Sequence, residues 1–344
     1  MEWYGDRTRV QPGDPQSLPW HLARPRNPAA RTAVGLDETV NTRGGPRLTY
    51  KIRTFDVFTR RRLEGNGLAV VLDAEGLAPE TMQAIAREMN LSETVFLLPP
   101  VNPGSAARAK IFTPSTELPF AGHPTIGAAW ALWSEGRLDG LEHFTLDEEV
   151  GPVQIRKSAG ERAEPMFWLT CPPISFGLVI DDRARVAAAL HLAEPDLLPT
   201  VPIQLVDSGG PKLYVALRHL ETVDRAVSDG HLLGALGEHL AVPVYLFAAA
   251  APDRLYGRMF GPAVGVSEDP ATGSAAGPLA AFAVRHGIVQ RGASVALLIE
   301  QGTKMGRRSL LHVELTYEPG GDSPSLVEVG GEVAAVLSGE LSVD

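Results

Sequence analysis

Two stretches of this 344-residue chain, 146 positions apart, have almost the same sequence. Residues 123–129 read HPTIGAA and residues 269–275 read DPATGSA. In each, a polar residue, His123 or Asp269, precedes a proline and a run of small residues follows, which is typical of a turn that leads into a closely packed helix start. One motif that is repeated once, at a long separation in the sequence, indicates two related domains rather than a solenoid of short repeats.

The first backbone N–H groups of a helix lack partners and lie at the positive end of its dipole, so a helix start attracts anions. If the two halves face each other, both helix starts converge on one cleft, with His123 and Asp269 on opposite sides. We therefore predict a site for a small carboxylate. Each motif taken singly is equally typical of a plain helix start, with Gly127 and Gly273 serving only helix packing.

Composition limits the class of protein. The chain is long enough for two domains, and 44% hydrophobic with 21% charged residues is typical of a soluble globular protein with a substantial core. A formal net charge of −10, without a clustered Lys/Arg stripe, disfavours a nucleic-acid partner. The apolar runs are too short to cross a membrane and no leader-like segment opens the chain, so we predict a cytoplasmic protein with no membrane partner.

Cysteine and histidine usage limits the chemistry. The single cysteine, Cys171, excludes an intramolecular disulfide and a cysteine-rich zinc site. The histidines and carboxylates near the two motifs lack the paired spacing of metal ligands, so we predict no metal.

The chain divides into three parts. Residues 1–46 are rich in proline and show no hydrophobic period, which predicts a flexible N-terminal extension. Residues 47–162 and 163–344 form the predicted halves, with the last strand able to return and pack on the first half. In each half we expect mixed strands around one long helix, an α+β architecture. The pattern predicts helices over residues 79–89, 124–134, 224–236 and 271–286.

Five motifs, in this order, resemble those of the PhzF family of phenazine-biosynthesis isomerases. They are residues 56–59 (DVFT), 65–66 (GN), 90–94 (NLSET), 120–125 (FAGHPT) and 268–275 (EDPATGSA). The resemblance covers about residues 48–336. It implies the diaminopimelate-epimerase-like fold, in which two pseudo-symmetric halves, each a barrel-like mixed sheet wrapped around a central helix, enclose the active site between them.

The resemblance also implies an activity. The chain would be a cofactor-free isomerase or epimerase that moves a proton on a small cyclic carboxylate, and it would act as a homodimer. The catalytic glutamate of the family matches Glu93, and His123 and Asp269 match its neighbours. A carboxyl group whose pKa is raised by an apolar cleft can take up and return a proton.

The resemblance further implies which groups bind the substrate. Backbone N–H groups at Gly273 and Ser274, and near Gly122, would hold its carboxylate. Outside the family context, Glu93 is more typical of a solvated strand start, although the apolar residues 95–98 suggest burial nearby. His123 and Asp269 could likewise be simple helix caps.

Three alternative functions share some of these sequence features. Residues 207–211 (DSGGP) imitate the nucleophile loop of trypsin-like proteases, but such enzymes are braced by disulfides, so a turn before a strand is the preferred interpretation. A racemase with two catalytic thiols is excluded by the single cysteine. A non-catalytic protein that binds small acids or a partner on the same fold stays open.

The chain departs from the family pattern in three loops. Residues 65–67 (GNG) and 305–309 (MGRRS) each lack a turn proline that the family usually has. Residues 207–212 differ from the Ser-Thr-Gly turn that helps to wall the family's cleft. The identity of the substrate therefore stays open.

Overall fold

The computed structural model describes residues 48–160, 164–236 and 242–343. The predicted extension over residues 1–46 lies outside these residues, as does the predicted boundary between residues 162 and 163. The described residues form a mixed α/β fold in which 18 strands are joined through hydrogen-bonded pairs and short helices cover them.

The first part of the fold contains two parallel crossovers. Its elements are β1 (Leu48–Val57), β2 (Asn66–Val71), α1 (Pro79–Met89), β3 (Glu93–Leu98), β4 (Ala107–Phe112), β5 (Glu117–Leu118), α2 (Gly122–Ser134), β6 (His143–Glu148), β7 (Gly151–Ala159) and β8 (Pro165–Thr170). Strands β2 and β3 are parallel and are connected through α1. Strands β4 and β6 are also parallel, and their connection contains α2. The pairs β1–β2, β3–β4 and β6–β7 are antiparallel.

The second part repeats this order of pairings. Its elements are β9 (Ser175–Ile180), α3 (Arg183–Ala189), β10 (Ile203–Asp207), β11 (Lys212–Ala216), α4 (Leu220–Arg225), α5 (Gly230–Gly234), β12 (Val244–Ala251), β13 (Arg254–Gly261), β14 (Val266–Asp269), α6 (Gly273–Arg285), β15 (Ser294–Gln301), β16 (Ser309–Thr316), β17 (Leu326–Gly331) and β18 (Val333–Val343). The pairs β11–β12 and β13–β15 are parallel, whereas β10–β11, β12–β13 and β15–β16 are antiparallel.

Two antiparallel contacts join the parts. Strand β8 pairs with β17, and β18 runs along β1 so that Leu48 lies opposite Val343. An ion pair between Asp56 and Arg307, with Oδ1 and Nη2 2.6 Å apart, adds a link between β1 and the loop before β16. The first and last described strands therefore lie side by side.

Helices α2 and α6 lie inside the fold. Residues 122–132 of α2 are buried without interruption, and 11 of the 13 residues of α6 are buried. A helix that is apolar on all sides requires such an environment, because it has no polar face to expose to water. The largest apolar core surrounds both helices and includes Trp130 and Phe282. This burial places the two helix starts in the interior rather than on the surface.

Three predicted helix boundaries were wrong. The helix expected over residues 224–236 is two short helices, because Ala226 is extended and the Asp229 side chain accepts hydrogen bonds from two N–H groups at the start of α5. Helix α2 begins two residues before the predicted Pro124, since proline is tolerated in a first turn where its missing N–H has no helical partner. Helix α6 begins two residues later than predicted, because the Thr272 N–H bonds to Gln301 instead of entering the helix.

Candidate active site

The starts of α2 and α6 are in direct contact. A Cβ atom added to Gly122 would lie 3.1 Å from the backbone nitrogen of Ser274, and one added to Gly273 would lie 3.3 Å from the Cα of Gly122. Only glycine permits this approach of two backbones. Neither N-cap residue, Ala121 of α2 or Thr272 of α6, caps the first amides of its helix with its side chain. The sequence predicted this convergence, and the structure brings the two starts together.

Glu93 and His123 face each other at this contact. Glu93 begins β3 and His123 is the second residue of α2. Glu93 Oε2 and His123 Nε2 are 3.1 Å apart, and the side chains are 16% and 6% exposed. The two atoms lack the alignment of a hydrogen bond, and within the described part of the chain neither has another hydrogen-bond partner. Both atoms are therefore free to bond a substrate.

Asn66 connects the two sides of the site. Its Nδ2 donates to Asp269 Oδ1 at 2.9 Å and to the carbonyl of Ala271 at 3.0 Å, and it lies 3.4 Å from His123 Nδ1. The two oxygen acceptors fix the orientation of the amide. Because Nδ2 can only donate, His123 Nδ1 is the acceptor, and we assign the ring proton to Nε2, which faces Glu93.

Asp269 is held by a polar network. Thr272 Oγ1 donates to Asp269 Oδ2 at 2.5 Å. The fully buried Gln301 donates from Nε2 to the Asp269 carbonyl at 2.7 Å and to Thr272 Oγ1 at 3.0 Å. Its Oε1 accepts from the Tyr245 hydroxyl at 2.8 Å. These bonds fix the position of the Asp269 side chain relative to the start of α6.

Burial shifts the proton affinities of the site. Burial raises the pKa of Glu93 to about 8, and the negative charge of Asp269 contributes to the rise. Burial also raises the pKa of Asp269 to about 6, against the hydrogen bonds it accepts. The pKa of His123 falls to about 3 for the same reason. At neutral pH Glu93 therefore holds a proton, His123 is neutral and Asp269 is mostly ionised.

This arrangement suits proton transfer to and from carbon. A carboxyl group with a pKa near neutrality can act both as acid and as base. The uncapped amides of two helix starts can bind an anion and stabilise charge that develops on it. A cavity of about 500 Å³ lies beside the site, and its lining includes Asn66, Ser92 next to Glu93, and Pro270 next to Asp269, but not Glu93, His123 or Asp269 themselves.

All six predicted site residues lie in or beside this cluster: Glu93, His123, Asp269, Gly122, Gly273 and Ser274. Sequence reasoning missed two residues that hold them in place. Asn66 lies in the GN motif at residues 65–66, and that motif was the sequence signal that could have identified it. Gln301 carries no local signal, because it reaches the site from the end of β15.

No group of three or more His, Cys, Asp or Glu side chains in residues 48–160, 164–236 and 242–343 is arranged to hold a metal ion. Over the same ranges, no helix is long and apolar enough to cross a membrane.

Comparison with known proteins decides the family. The sequence model described as "Phenazine biosynthesis-like protein" matches residues 55–339. The chain belongs to this family, the PhzF family. An uncharacterized isomerase of Mesorhizobium japonicum is 39% identical over 298 residues, covering 84% of this chain and 97% of the relative. The trans-2,3-dihydro-3-hydroxyanthranilate isomerase of Pseudomonas aeruginosa is 38% identical over 293 residues, covering 84% of this chain and 98% of that enzyme.

A solved structure agrees with the fold. The PhzF-family phenazine biosynthesis protein of Bacillus anthracis superimposes with a TM-score of 0.79 at 24% identity, covering 86% of this chain and 99% of that one. At this level of identity the comparison shows the shared fold. Taken with the named relatives above, membership of the PhzF family makes the chain an isomerase.

Proposed function

We propose that this PhzF-family protein is a cofactor-independent isomerase or epimerase that moves a proton on a small cyclic carboxylate, with Glu93 as the general acid and base. One observation carries the proposal. Glu93 Oε2 is buried, lacks a hydrogen-bond partner among the described residues, and lies 3.1 Å from an equally unpartnered His123 Nε2. A carboxyl group in this state has its proton available to a ligand rather than to the protein.

The proposed reaction has two proton transfers. Ionised Glu93 takes a proton from a carbon of the substrate, and the electron pair of that C–H bond moves into the conjugated system of the substrate. Protonated Glu93 then returns the proton to a different carbon, which isomerises the acid. An epimerisation would need a second acid on the opposite face of the same carbon, because return to the same face restores the starting configuration. A pKa near 8 favours this role, because the group is close to balance between its acid and base forms at neutral pH.

His123 and Asp269 have supporting roles in this proposal. The Nε2–H of His123 donates to a polar atom of the substrate close to the carbon that reacts. Asp269 keeps its position through Asn66 and Thr272, orients the substrate, and raises the pKa of Glu93 by its charge.

The carboxylate of the substrate would bind at the start of α6. The side chain of the N-cap residue Thr272 does not cap the first amides of α6, at Gly273 and Ser274, and Gly122 of α2 is in contact with them. Because this site is buried, few water molecules compete for these donors, which strengthens the attraction. The substrate named for the Pseudomonas aeruginosa relative, trans-2,3-dihydro-3-hydroxyanthranilate, is such an acid and is the first candidate.

The architecture we propose has two pseudo-symmetric halves, residues 47–162 and 163–344, each built around α2 or α6. The repeated order of parallel and antiparallel pairs in the two parts of the sheet supports it. We also propose a cytoplasmic homodimer. The exposed apolar side chains of Val336 and Leu337 on β18, 37% and 56% exposed, support an interface there, which light scattering of the purified protein would test.

Deuterium incorporation distinguishes an isomerase from a binding protein. The protein is incubated in D₂O with trans-2,3-dihydro-3-hydroxyanthranilate and related cyclic acids, and each acid is examined by mass spectrometry and NMR. An isomerase changes the acid and introduces solvent deuterium at carbon. An acid that binds but is neither changed nor labelled indicates a non-catalytic binding protein.

A further inference from the structure

Lys212 is a buried cation that the proposed mechanism does not use. It is the first residue of β11 and is 7% exposed. Its Nζ donates a hydrogen bond to the carbonyl of Gly210 at 2.9 Å. Burial lowers the pKa of Lys212 to about 8 and outweighs the charges of Asp207 and Asp269, which also act on it. A buried ammonium whose neighbouring charges do not offset its loss of hydration favours an anionic ligand.

The register of β11 directs Lys212 toward α6. Alternate residues of a strand point to the same face of the sheet, so Lys212 shares its face with Tyr214. The Tyr214 hydroxyl donates to the carbonyl of Ala275, in the first turn of α6, at 3.0 Å. Leu213, which lies between Lys212 and Tyr214, and Val215, which follows Tyr214, belong to a separate apolar core on the other face of the sheet.

The neighbours of Lys212 place its ammonium near the start of α6. Lys212 is the next residue along β11 on the face from which Tyr214 reaches the first turn of α6. In agreement with this placement, its positive charge opposes the rise in pKa that burial causes at both Cys171 and Asp269. Cys171 packs against α6 at Gly277, where an added Cβ atom would be 2.6 Å from Sγ. Gly277 lies three residues after Ser274 and therefore on the same face of the helix.

The carboxylate of Asp269 is stabilised more by its hydrogen bonds than by the charge of Lys212. This carboxylate accepts hydrogen bonds from Asn66, from Thr272 and from the backbone N–H of Ala271. The ammonium, by contrast, has two N–H groups without a partner in the described part of the chain. Asp207 and Asp269 therefore compensate the charge of Lys212 only in part, because burial still lowers its pKa.

We propose that Lys212 binds the carboxylate of the substrate, together with the first backbone amides of α6 at Gly273 and Ser274. This inference rests on the proposed function and narrows its substrate class. The site selects acids with a free carboxylate and rejects the corresponding amides and esters, because a neutral group leaves the buried ammonium unpaired. Lys212 is thus a specificity-determining residue.

The test compares two ligands on two proteins. The ligands are 3-hydroxyanthranilate and its neutral amide, 2-amino-3-hydroxybenzamide, and binding to wild type and to Lys212→Met is measured by calorimetry. A hydrogen bond to a charged group is worth about 1.5–3 kcal/mol, so the substitution should weaken binding of the acid by about 10- to 100-fold. Binding of the amide should change by less than about threefold, since the amide makes no charged pair. Lys51→Met, which changes an exposed lysine on β1, should affect neither ligand.

The melting temperature of the unliganded proteins gives a second readout. Replacing a buried unpaired charge with an apolar side chain of similar length should leave the melting temperature unchanged or raise it. A clear loss of stability, with acid and amide weakened equally, would show that Lys212 is structural and would overturn the inference. If wild type binds and labels an acid while Lys212→Met binds that acid as well as wild type does, only this inference fails. If wild type neither binds nor labels any acid, the proposed function fails and the inference fails with it.

Discussion

Glu93 Oε2 and His123 Nε2 lie 3.1 Å apart at the junction of two buried helix starts, and both are without a hydrogen bond to the described residues. Burial moves their pKa values in opposite directions, up for the carboxyl group and down for the imidazole. At neutral pH the contact is therefore between two neutral groups, and it is not a stabilising ion pair. A buried polar contact of this kind costs stability in the free protein and becomes favourable once a ligand supplies the missing bonds.

Asp269→Asn should shift the pH dependence of turnover. The charge of Asp269 helps to raise the pKa of Glu93 to about 8, and the ionised form of Glu93 starts the reaction. In wild type, kcat should rise with pH toward a plateau above about 8. Without the negative charge the pKa of Glu93 falls, so the midpoint of this rise should move to lower pH while the plateau value decreases. The measurement is kcat at saturating substrate from pH 5 to 10.

Glu221→Gln is the matched control, since it removes a negative charge from the exposed start of α4. Its pH profile should superimpose on that of wild type. An Asp269→Asn profile with an unchanged midpoint would show that Asp269 does not act on the proton affinity of the catalytic group.

Asn66→Ala should reduce both activity and stability. It removes two hydrogen bonds that join β2 to the loop before α6, and it leaves His123 Nδ1 without a donor. We expect kcat to fall at least about tenfold and the free energy of unfolding to fall by about 1–3 kcal/mol. Asn102→Ala, which removes a side-chain hydrogen bond to Asp147 away from the site, should lower stability but not kcat. Equal kcat losses in both variants would mean that Asn66 acts through stability alone.

Gly122→Ala should separate the two helix starts. The added Cβ atom would lie 3.1 Å from backbone atoms of Gly273 and Ser274, which cannot rotate away as a side chain can. Because displacements of about 1 Å at a catalytic centre can cost about 100-fold in rate, we expect kcat to fall by at least about tenfold. Gly234→Ala, at the end of α5 with open space around it, is the control. Full activity of Gly122→Ala would show that the contact between the helix starts is not needed for catalysis.

The sequence predicted the site because the signals there are local. Each of the predicted catalytic residues lies inside a short motif, and a repeated motif at a fixed offset shows which two segments belong together. The convergence of the helix starts followed from that repeat. Asn66, although part of a motif, was not assigned to the site, because its contacts to Asp269 and Ala271 cross about 200 positions of sequence.

Other features could not be predicted from local patterns. Residues 224–236 have apolar residues at helical spacing, but the cap formed by Asp229 starts a new helix and divides the segment into two. Whether the segment forms one helix or two therefore depends on a single side chain. The environment of Lys212 depends on which face of β11 meets α6, and a one-residue change of register would reverse it. Gln301 reaches Asp269 only because β15 ends beside the start of α6.

The measurement that tests the central claim most directly is deuterium incorporation by Glu93→Gln. Wild type and variant are incubated in D₂O with an acid that wild type isomerises, and label at carbon is followed by NMR, with binding of the same acid measured by calorimetry. The substitution keeps the size of the side chain but removes its ability to accept and return a proton, so the rate of labelling should fall by about 100-fold or more while binding is retained. If Glu93→Gln labels the acid within about threefold of the wild-type rate, a range too small for the loss of an acid/base group, then Glu93 is not the proton carrier.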